Sequence, residues 1–190
     1  MKKLLIALVA LVVLAAAGGF IIYRYVAPAR PLDLAYEPVP IENRAVQMLK
    51  KMSTELVLSE ADVNNLAKAS IAANPQYAPD IRITGAEFRL LADNRLAAEL
   101  NLKVKSRVPV GLSIVYRLEW SEPNLTAVVE QASIRGIDLP ADRFDDVVIP
   151  LGEELPQGIH IKRVESDASG LRVTFKLPSL RDIQRLIEGL

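Results

Sequence analysis

The chain has 190 residues and no net formal charge, with 23 basic and 23 acidic side chains. Such a length suits one domain with an appendage. Four basic and no acidic residues precede Pro31. Residues 31–190 therefore hold 19 basic and 23 acidic residues, a net charge of −4. That sign argues against nucleic-acid binding and against broad adhesion to anionic lipid. The sequence has no cysteine, which excludes disulfides and thiolate chemistry.

The first element is an uncharged run of twenty residues, Leu4–Tyr23, preceded by Lys2 and Lys3 and followed by Arg24. As a helix it would be about 30 Å long, enough to cross a bilayer. The alternative is a signal peptide cleaved after Ala15–Ala17. The apolar run continues past that site, which favours a retained single-pass anchor within residues 1–26. Membrane attachment through this helix is the predicted localisation.

Orientation of the anchor follows from the flanking charges. Lys2 and Lys3 favour a cytoplasmic N-terminus, and Arg24 and Arg30 partly offset them. We therefore expect the bulk of the chain to lie outside the cytoplasm. Residues 27–40 form a proline-rich segment, and because proline fixes φ we predict a short, stiff spacer there. An extracytoplasmic domain of residues 41–190 would follow.

That domain is predicted to begin with helices. Apolar residues at mixed helical spacing predict a short helix over Ile41–Met52, and a short strand over residues 55–58 follows. Ser59 and Asp62 then approximate a capping box. The helix that they begin has one apolar face and is expected to end before Pro75.

The central stretch of the chain predicts two long strands. Apolar and polar residues alternate through Leu96–Lys105 and again through Leu112–Trp120, the period of a sheet with one dry face. Each strand would span about 30 Å at roughly 3.3 Å per residue. In the strand before these two, the alternation changes phase at Thr84–Gly85, which predicts a bulge. In a fourth strand, Leu125–Arg135, the alternation changes phase near Val128–Val129.

The last third of the chain predicts a turn, a hairpin and a helix. Pro140–Val148 can form a helical turn or two, and Ile159–Val164 with Leu171–Leu177 predicts a hairpin. Ser179 begins a final helix with an apolar face. The predicted fold is therefore α+β: an N-terminal transmembrane helix, then a long antiparallel meander of about six strands packed with two or three helices.

Residues that could carry chemistry are few. His160 is the one histidine and is expected on the surface, without a partner to make it a base or a zinc ligand. The best candidates for a cation site are acidic residues without the spacing of a calcium loop: Asp142, Asp145, Asp146, Glu153 and Glu154. We expect Asp142 to stabilise a helix start and the other four to be solvated. No catalytic residue, metal ligand or cofactor is predicted.

The dry face of the two central strands is the candidate ligand-binding surface. Its members are apolar or aromatic and share one strand phase: Leu100, Leu102, Ile114, Tyr116, Leu118 and Trp120. Such residues serve equally well as the lining of an apolar groove and as a filled core.

Two motifs carry a family resemblance, Gly136-Ile137-Asp138-Leu139-Pro140 and Leu155-Pro156-Gln157-Gly158-Ile159-His160-Ile161. With the anchor and the capped helix at Ser59, they make the chain resemble the YpmS-like family, membrane-anchored extracytoplasmic proteins of Gram-positive bacteria. That family is distantly similar to the tubular lipid-binding fold, in which a curved sheet wraps a helix and holds acyl chains. The resemblance implies no catalytic residue. The helix from Ser179 and the short acidic helix after Pro140 depart from the family pattern.

Two functions follow as hypotheses. In the first, the domain is non-catalytic and binds a lipid or a lipid-linked envelope component in an apolar groove. In the second, it has a closed core and is a structural or assembly protein that contacts a membrane or envelope protein. An enzyme is not expected, because the residues above supply no catalytic group.

Overall fold

A computed structural model describes residues 18–19, 23–41, 44, 53–152, 160–167 and 169–176. Antiparallel strands make up most of this part, which confirms the predicted antiparallel meander. Most of the predicted anchor and of the helix at Ile41–Met52 lie outside the described residues. The whole predicted helix from Ser179 lies outside them as well.

The larger sheet is curled, and its strands follow one another in chain order. They are β2 (Gln76–Ala78), β3 (Ile81–Leu91), β4 (Arg95–Val104), β5 (Val108–Ser121), β6 (Asn124–Ile134) and β7 (Ile137–Leu139). A further strand, β8 (Val147–Ile149), pairs with the first half of β6 beside β7. Short turns join the long strands, as one-sided alternation predicts.

The smaller sheet has three strands, β1 (Glu55–Leu58), β9 (Ile161–Asp167) and β10 (Gly170–Phe175). β10 lies between the other two. The predicted C-terminal hairpin is thus present, and it also pairs with β1. That pairing joins segments more than a hundred residues apart, and no local pattern signals it.

One helix of fourteen residues, α1 (Glu60–Ala73), packs on the larger sheet. The Ser59 hydroxyl accepts a hydrogen bond from Asp62 N at 3.2 Å, and Asp62 Oδ2 accepts one from Ser59 N at 2.8 Å. Both halves of the predicted capping box are therefore present. The helix ends at Asn74, directly before Pro75, which cannot continue it.

The two predicted irregularities lie in the larger sheet. The register of β3 against β4 shifts between Ile83 and Gly85, which confirms the predicted bulge. In β6, Val115 and Tyr116 of β5 face Gln131 and Val129, so Glu130 is the extra residue. An extra residue shifts the phase of the apolar alternation by one position while the apolar side chains stay on the same face. The sequence therefore reveals both positions as phase changes.

Two clusters of buried apolar side chains form the core. The main cluster fills the concave face of the larger sheet and comprises Ala86, Phe88, Ala98, Leu100, Leu112, Ile114, Tyr116, Ala127 and Ala132. The second cluster joins the smaller sheet to one end of the larger sheet and comprises Leu58, Leu90, Leu125, Ile161, Val164, Leu171 and Val173. Each large side chain so buried contributes about 1.5–3 kcal/mol.

The segment after Pro140 differs from its predicted helical turns. A single 3₁₀ turn covers Ala141–Arg143, and the chain then becomes strand β8. β8 consists of three β-branched residues, which favour a strand over a helix.

Candidate functional site

The predicted dry-face residues lie where alternation puts them, inside the curled sheet. Leu100, Ile114 and Tyr116 are 8%, 4% and 9% exposed and belong to the main cluster. Leu102 and Leu118 are half-buried and pack against the same cluster. The structure therefore brings these five side chains together on one face.

The sixth dry-face residue, Trp120, lies toward the other end of the face. It is half-buried and packs against the second cluster, which Leu118 also contacts. The row of apolar side chains along β5 therefore runs continuously from one cluster to the other. Ala67 and Ile71 of α1, together with Leu34 and Phe144, pack on the main cluster from the sides.

Tyr116 is the one dry-face residue that can titrate. Burial raises the pKa of its phenol to about 12, and the nearby charges of Tyr77 and Asp146 add to the shift. The hydroxyl therefore stays protonated near neutral pH. A neutral, buried phenol packs as an aromatic side chain and supplies no nucleophile.

Two concave regions of the described surface lie away from the dry face. One, of about 440 Å³, lies between α1 and the N-terminal segment and is lined by Ala35, Tyr36, Glu37, Ala61, Asn64 and Asn65. The other, of about 220 Å³, lies on the smaller sheet and is lined by Glu55, Lys162, Arg163, Glu165, Arg172 and Thr174. Neither includes one of the six predicted residues.

The proline-rich segment is not separate from the domain, and we call residues 27–37 the strap. It crosses the outer face of the larger sheet, opposite the main cluster. Pro28 lies against Gly111 of β5, and Leu32 O lies against Gly85 of β3. Between them, Asn101 of β4 donates its side-chain amide to Arg30 O at 3.0 Å. A side-chain Cβ at either glycine would overlap strap backbone.

Those three positions form one row across the sheet, because Asn101 pairs with Gly85 on one side and Gly111 on the other. Two glycines flanking a buried asparagine leave a shallow channel in which backbone can lie. Sequence reasoning missed this channel. The available signal was a polar residue and two glycines in register across strands that are otherwise well formed.

The strap then turns round the open edge of β3 and reaches α1. Three alternate N–H groups on this edge are hydrogen-bonded. Ala86 N donates to Asp33 O of the strap at 3.1 Å. Phe88 N donates to Asn64 Oδ1 and Leu90 N to Glu60 Oε2, both of α1 and both at 2.9 Å. Covering an edge in this way prevents another strand from pairing there.

Arg44 and Asp62 form an ion pair at the start of α1. Two Arg44 guanidinium nitrogens donate to the two Asp62 carboxylate oxygens, Nη2 to Oδ1 at 2.8 Å. These hydrogen bonds, assisted by those from Ser59, lower the pKa of Asp62 to about 2. The pair is partly buried and closes the capping box, so it stabilises the helix start.

The histidine and the acidic residues occupy separate sites. His160 is exposed, with Nδ1 3.3 Å from Glu122 Oε1, and Lys176 Nζ lies 2.6 Å from the same carboxylate. Asp146 accepts a hydrogen bond from Val129 N at 2.9 Å, between β7 and β8. Across the described ranges, no three metal-ligating side chains come together. Glu153 and Glu154 lie outside those ranges.

The most exposed apolar strand is β8. Val147, Val148 and Ile149 are all exposed, and Val148 reaches 58%. Among the strands that the structure describes, β8 pairs with β6 alone, so its other edge is open. Exposed β-branched residues on an open edge are the composition of a strand that accepts another strand.

Comparison of the chain with protein-family models, with curated proteins and with solved structures gave no match. The resemblance to the YpmS-like family therefore stays a prediction from short motifs. No helix within the described ranges is long and apolar enough to cross a membrane. Leu4–Tyr23 lies almost wholly outside them.

Proposed function

We propose that the chain is a non-catalytic assembly domain, anchored in the cell membrane through Leu4–Tyr23, that contacts an envelope protein through the open edge of β8. The anchor is the twenty-residue uncharged run, which has the length needed to span a bilayer. The domain beyond it acts by contact and performs no reaction.

The observation that carries this proposal is the position of the exposed apolar surface. Large apolar side chains inside the curled sheet are buried, whereas those of β8 are exposed on its outer margin. Monomeric proteins seldom leave contiguous apolar surface without a use. A partner strand added to β8 would gain main-chain hydrogen bonds and cover the exposed valines.

The outward edges of β3 and β6 support the same conclusion. On β3 the outward N–H groups are hydrogen-bonded to the strap and to α1. On β6 the outer edge is covered by β7, by β8 and by the Asp146 carboxylate. Because these edges are occupied, β8 is more available for pairing than β3 or β6.

Site-specific photocrosslinking in cells tests the contact. A photoreactive residue at Val148 of the full chain should give one discrete crosslinked product. At Lys162, an exposed position on the smaller sheet, the same residue should give none. Val148→Lys should reduce crosslinking from the neighbouring position 147, since a charge would enter an apolar contact. Equal products from positions 148 and 162 would contradict the proposal.

Acyl-chain binding is the second candidate, and the length of the curled sheet favours it. The strands β4, β5 and β6 have 10, 14 and 11 residues, so the concave face is as long as an acyl chain at roughly 3.3 Å per residue. This function requires the side chains that pack on the main cluster to move apart. Lipid that co-purifies with the chain would favour it over assembly.

A further inference from the structure

The strap fixes the place at which the chain leaves the domain toward the anchor. Ala27 O accepts a hydrogen bond from Arg135 Nε at 3.0 Å, and Pro28 lies against Gly111. Both contacts are at one end of the larger sheet, formed by the turns at residues 79–80, 105–107 and 135–136. We call this the anchor-side end.

The remaining linker is too short to hold this end far from the membrane. Four residue steps separate Tyr23, the last residue of the apolar run, from Ala27. They span about 6 Å as a helix and at most about 14 Å when extended, and residues 23–26 are helical. That reach is comparable to the distance of about 8 Å over which physiological salt screens charge. Exposed Tyr23 and Tyr25 suit the bilayer interface.

The anchor-side end is basic, although the domain as a whole is acidic. Its exposed basic side chains are Arg82, Lys103, Lys105, Arg107 and Arg135. The acidic residues at this end are Asp80 in the β2–β3 turn and Asp138, which accepts a hydrogen bond from Gln131. Within the described part of the chain, none of the five basic side chains forms an ion pair.

Basic residues at the opposite end are arranged differently. There Arg95, Arg117, Arg163, Arg172 and Lys176 each lie beside a carboxylate. Their charge is locally neutralised, whereas that of the anchor-side end is not. Arg89 and Lys162 are also exposed there and form no ion pair with the described residues, which makes two such side chains against five at the anchor-side end. Most of the unpaired positive charge is therefore on the end that the linker holds nearest the bilayer.

We propose that the anchor-side end binds the anionic phospholipid headgroups of the membrane that holds the anchor. The inference rests on the proposed anchor and adds a second membrane contact to it. Lysine and arginine near an anionic surface are attracted within a Debye length. The acidic remainder of the domain is repelled, so the two ends together set its orientation, with the smaller sheet away from the bilayer.

The chain contains no cysteine, so one introduced cysteine gives one label. Full-length chain with Ser106→Cys, at the anchor-side end, or Ser169→Cys, at the opposite end, is fluorescently labelled. Each is reconstituted into vesicles that carry a headgroup-linked quencher. We expect strong quenching at position 106 with phosphatidylglycerol present, and a fall toward the position-169 level in pure phosphatidylcholine or in 1 M salt.

Two triple variants of equal charge change make the test specific. Lys103→Glu, Lys105→Glu and Arg107→Glu together should abolish the lipid-dependent part of the quenching at position 106. Lys162→Glu, Arg163→Glu and Arg172→Glu together, at the other end, should leave it unchanged. Thermal melting of both variants shows whether they fold.

Flotation of the same vesicles separates the two ways in which the proposal fails. If the chain does not float with the vesicles, the anchor is wrong and the headgroup contact falls with it. If it floats but quenching at position 106 is the same in neutral and anionic vesicles, the anchor stands and the headgroup contact is overturned. The headgroup contact is also overturned if the two triple variants change the quenching at position 106 by the same amount.

Discussion

The two faces of the larger sheet are covered in opposite ways. The concave face is filled by apolar side chains from its own strands and from α1, a packing that depends on size and hydrophobicity. The outer face is crossed by a chain segment whose backbone lies on Gly85, Asn101 and Gly111. That contact depends on the absence of side chains at two positions and on one directed hydrogen bond.

The difference has a functional consequence. A side-chain core stabilises the domain from within, whereas the strap joins the domain to the proposed anchor. Hydrogen bonds join the strap to β3, β4, α1 and Arg135 and so fix the place at which the chain leaves the domain. Substitutions on the two faces should therefore change the free energy of unfolding by different amounts and for different physical reasons.

The largest effect is expected on the concave face. Leu100→Lys places an unpaired charge in the main cluster and should lower the free energy of unfolding by about 4 kcal/mol or more. Lys103→Glu, exposed on the outer face of the same strand, should change it by no more than about 0.5 kcal/mol. Urea unfolding measures both. Similar midpoints for the two variants would refute the assignment of the faces.

An intermediate effect is expected where the strap crosses the sheet. Gly85→Ala would overlap the Leu32 carbonyl and displace the strap, at a cost of about 1–3 kcal/mol. In a chain that begins at residue 35, the same change should become neutral or stabilise by up to about 1 kcal/mol, since alanine is more restricted than glycine when unfolded. An equal cost with and without the strap would contradict this contact.

A smaller effect depends on pH and lies at the start of α1. The pKa of Asp62 is lowered from 3.8 to about 2, so the folded state favours its ionised form. The resulting stability is fully present above about pH 4 and is lost as the pH falls toward 2. Asp62→Asn should cost about 1 kcal/mol at pH 7 because solvent screens the Arg44 side chain.

The pH dependence itself is the control for that prediction. The difference in unfolding free energy between the native chain and Asp62→Asn should shrink steadily as the pH falls from about 4 to 2, where about half of the Asp62 carboxylates in the folded state are protonated. Guanidinium unfolding at a series of pH values gives this difference. A difference that stays constant from pH 7 to pH 2 would mean that the ion pair contributes nothing.

The smallest effect is expected for the ion pair between the strap and the sheet. Arg30 lies beside Glu87, and both side chains are partly exposed. Arg30→Ala should therefore change the unfolding free energy by less than about 1 kcal/mol, and its main-chain carbonyl would still accept from Asn101. A loss as large as that of Gly85→Ala would show that side-chain charge, and not backbone fit, holds the strap.

Local patterns explain which features the sequence could predict. Alternation identified the long strands and placed Leu100, Ile114 and Tyr116 on one face. Phase slips identified the bulge in β3 and marked the irregularity in β6 to within a residue or two. The capping box at Ser59 follows from adjacent residues. These features depend on neighbours in the chain, so periodicity and spacing reveal them.

Long-range contacts explain which features the sequence could not predict. The pairing of β1 with β10 and the crossing of the strap over Gly85 and Gly111 join segments that are distant in the chain. Alternation shows that a face is apolar but does not show what covers it. For the same reason the sequence left both a groove and a filled core open for Leu100 and Tyr116.

The most direct test of the assembly proposal asks whether the concave face accepts a ligand. Residues 24–190, delipidated and shown to be folded by circular dichroism, are titrated with an environment-sensitive fatty-acid probe. If the main cluster is a filled core, as the assembly hypothesis requires, the probe shows no saturable binding. Saturable one-to-one binding that phospholipid displaces, and that Ile114→Trp weakens by filling the same space, would contradict the proposal and establish the concave face as a lipid site.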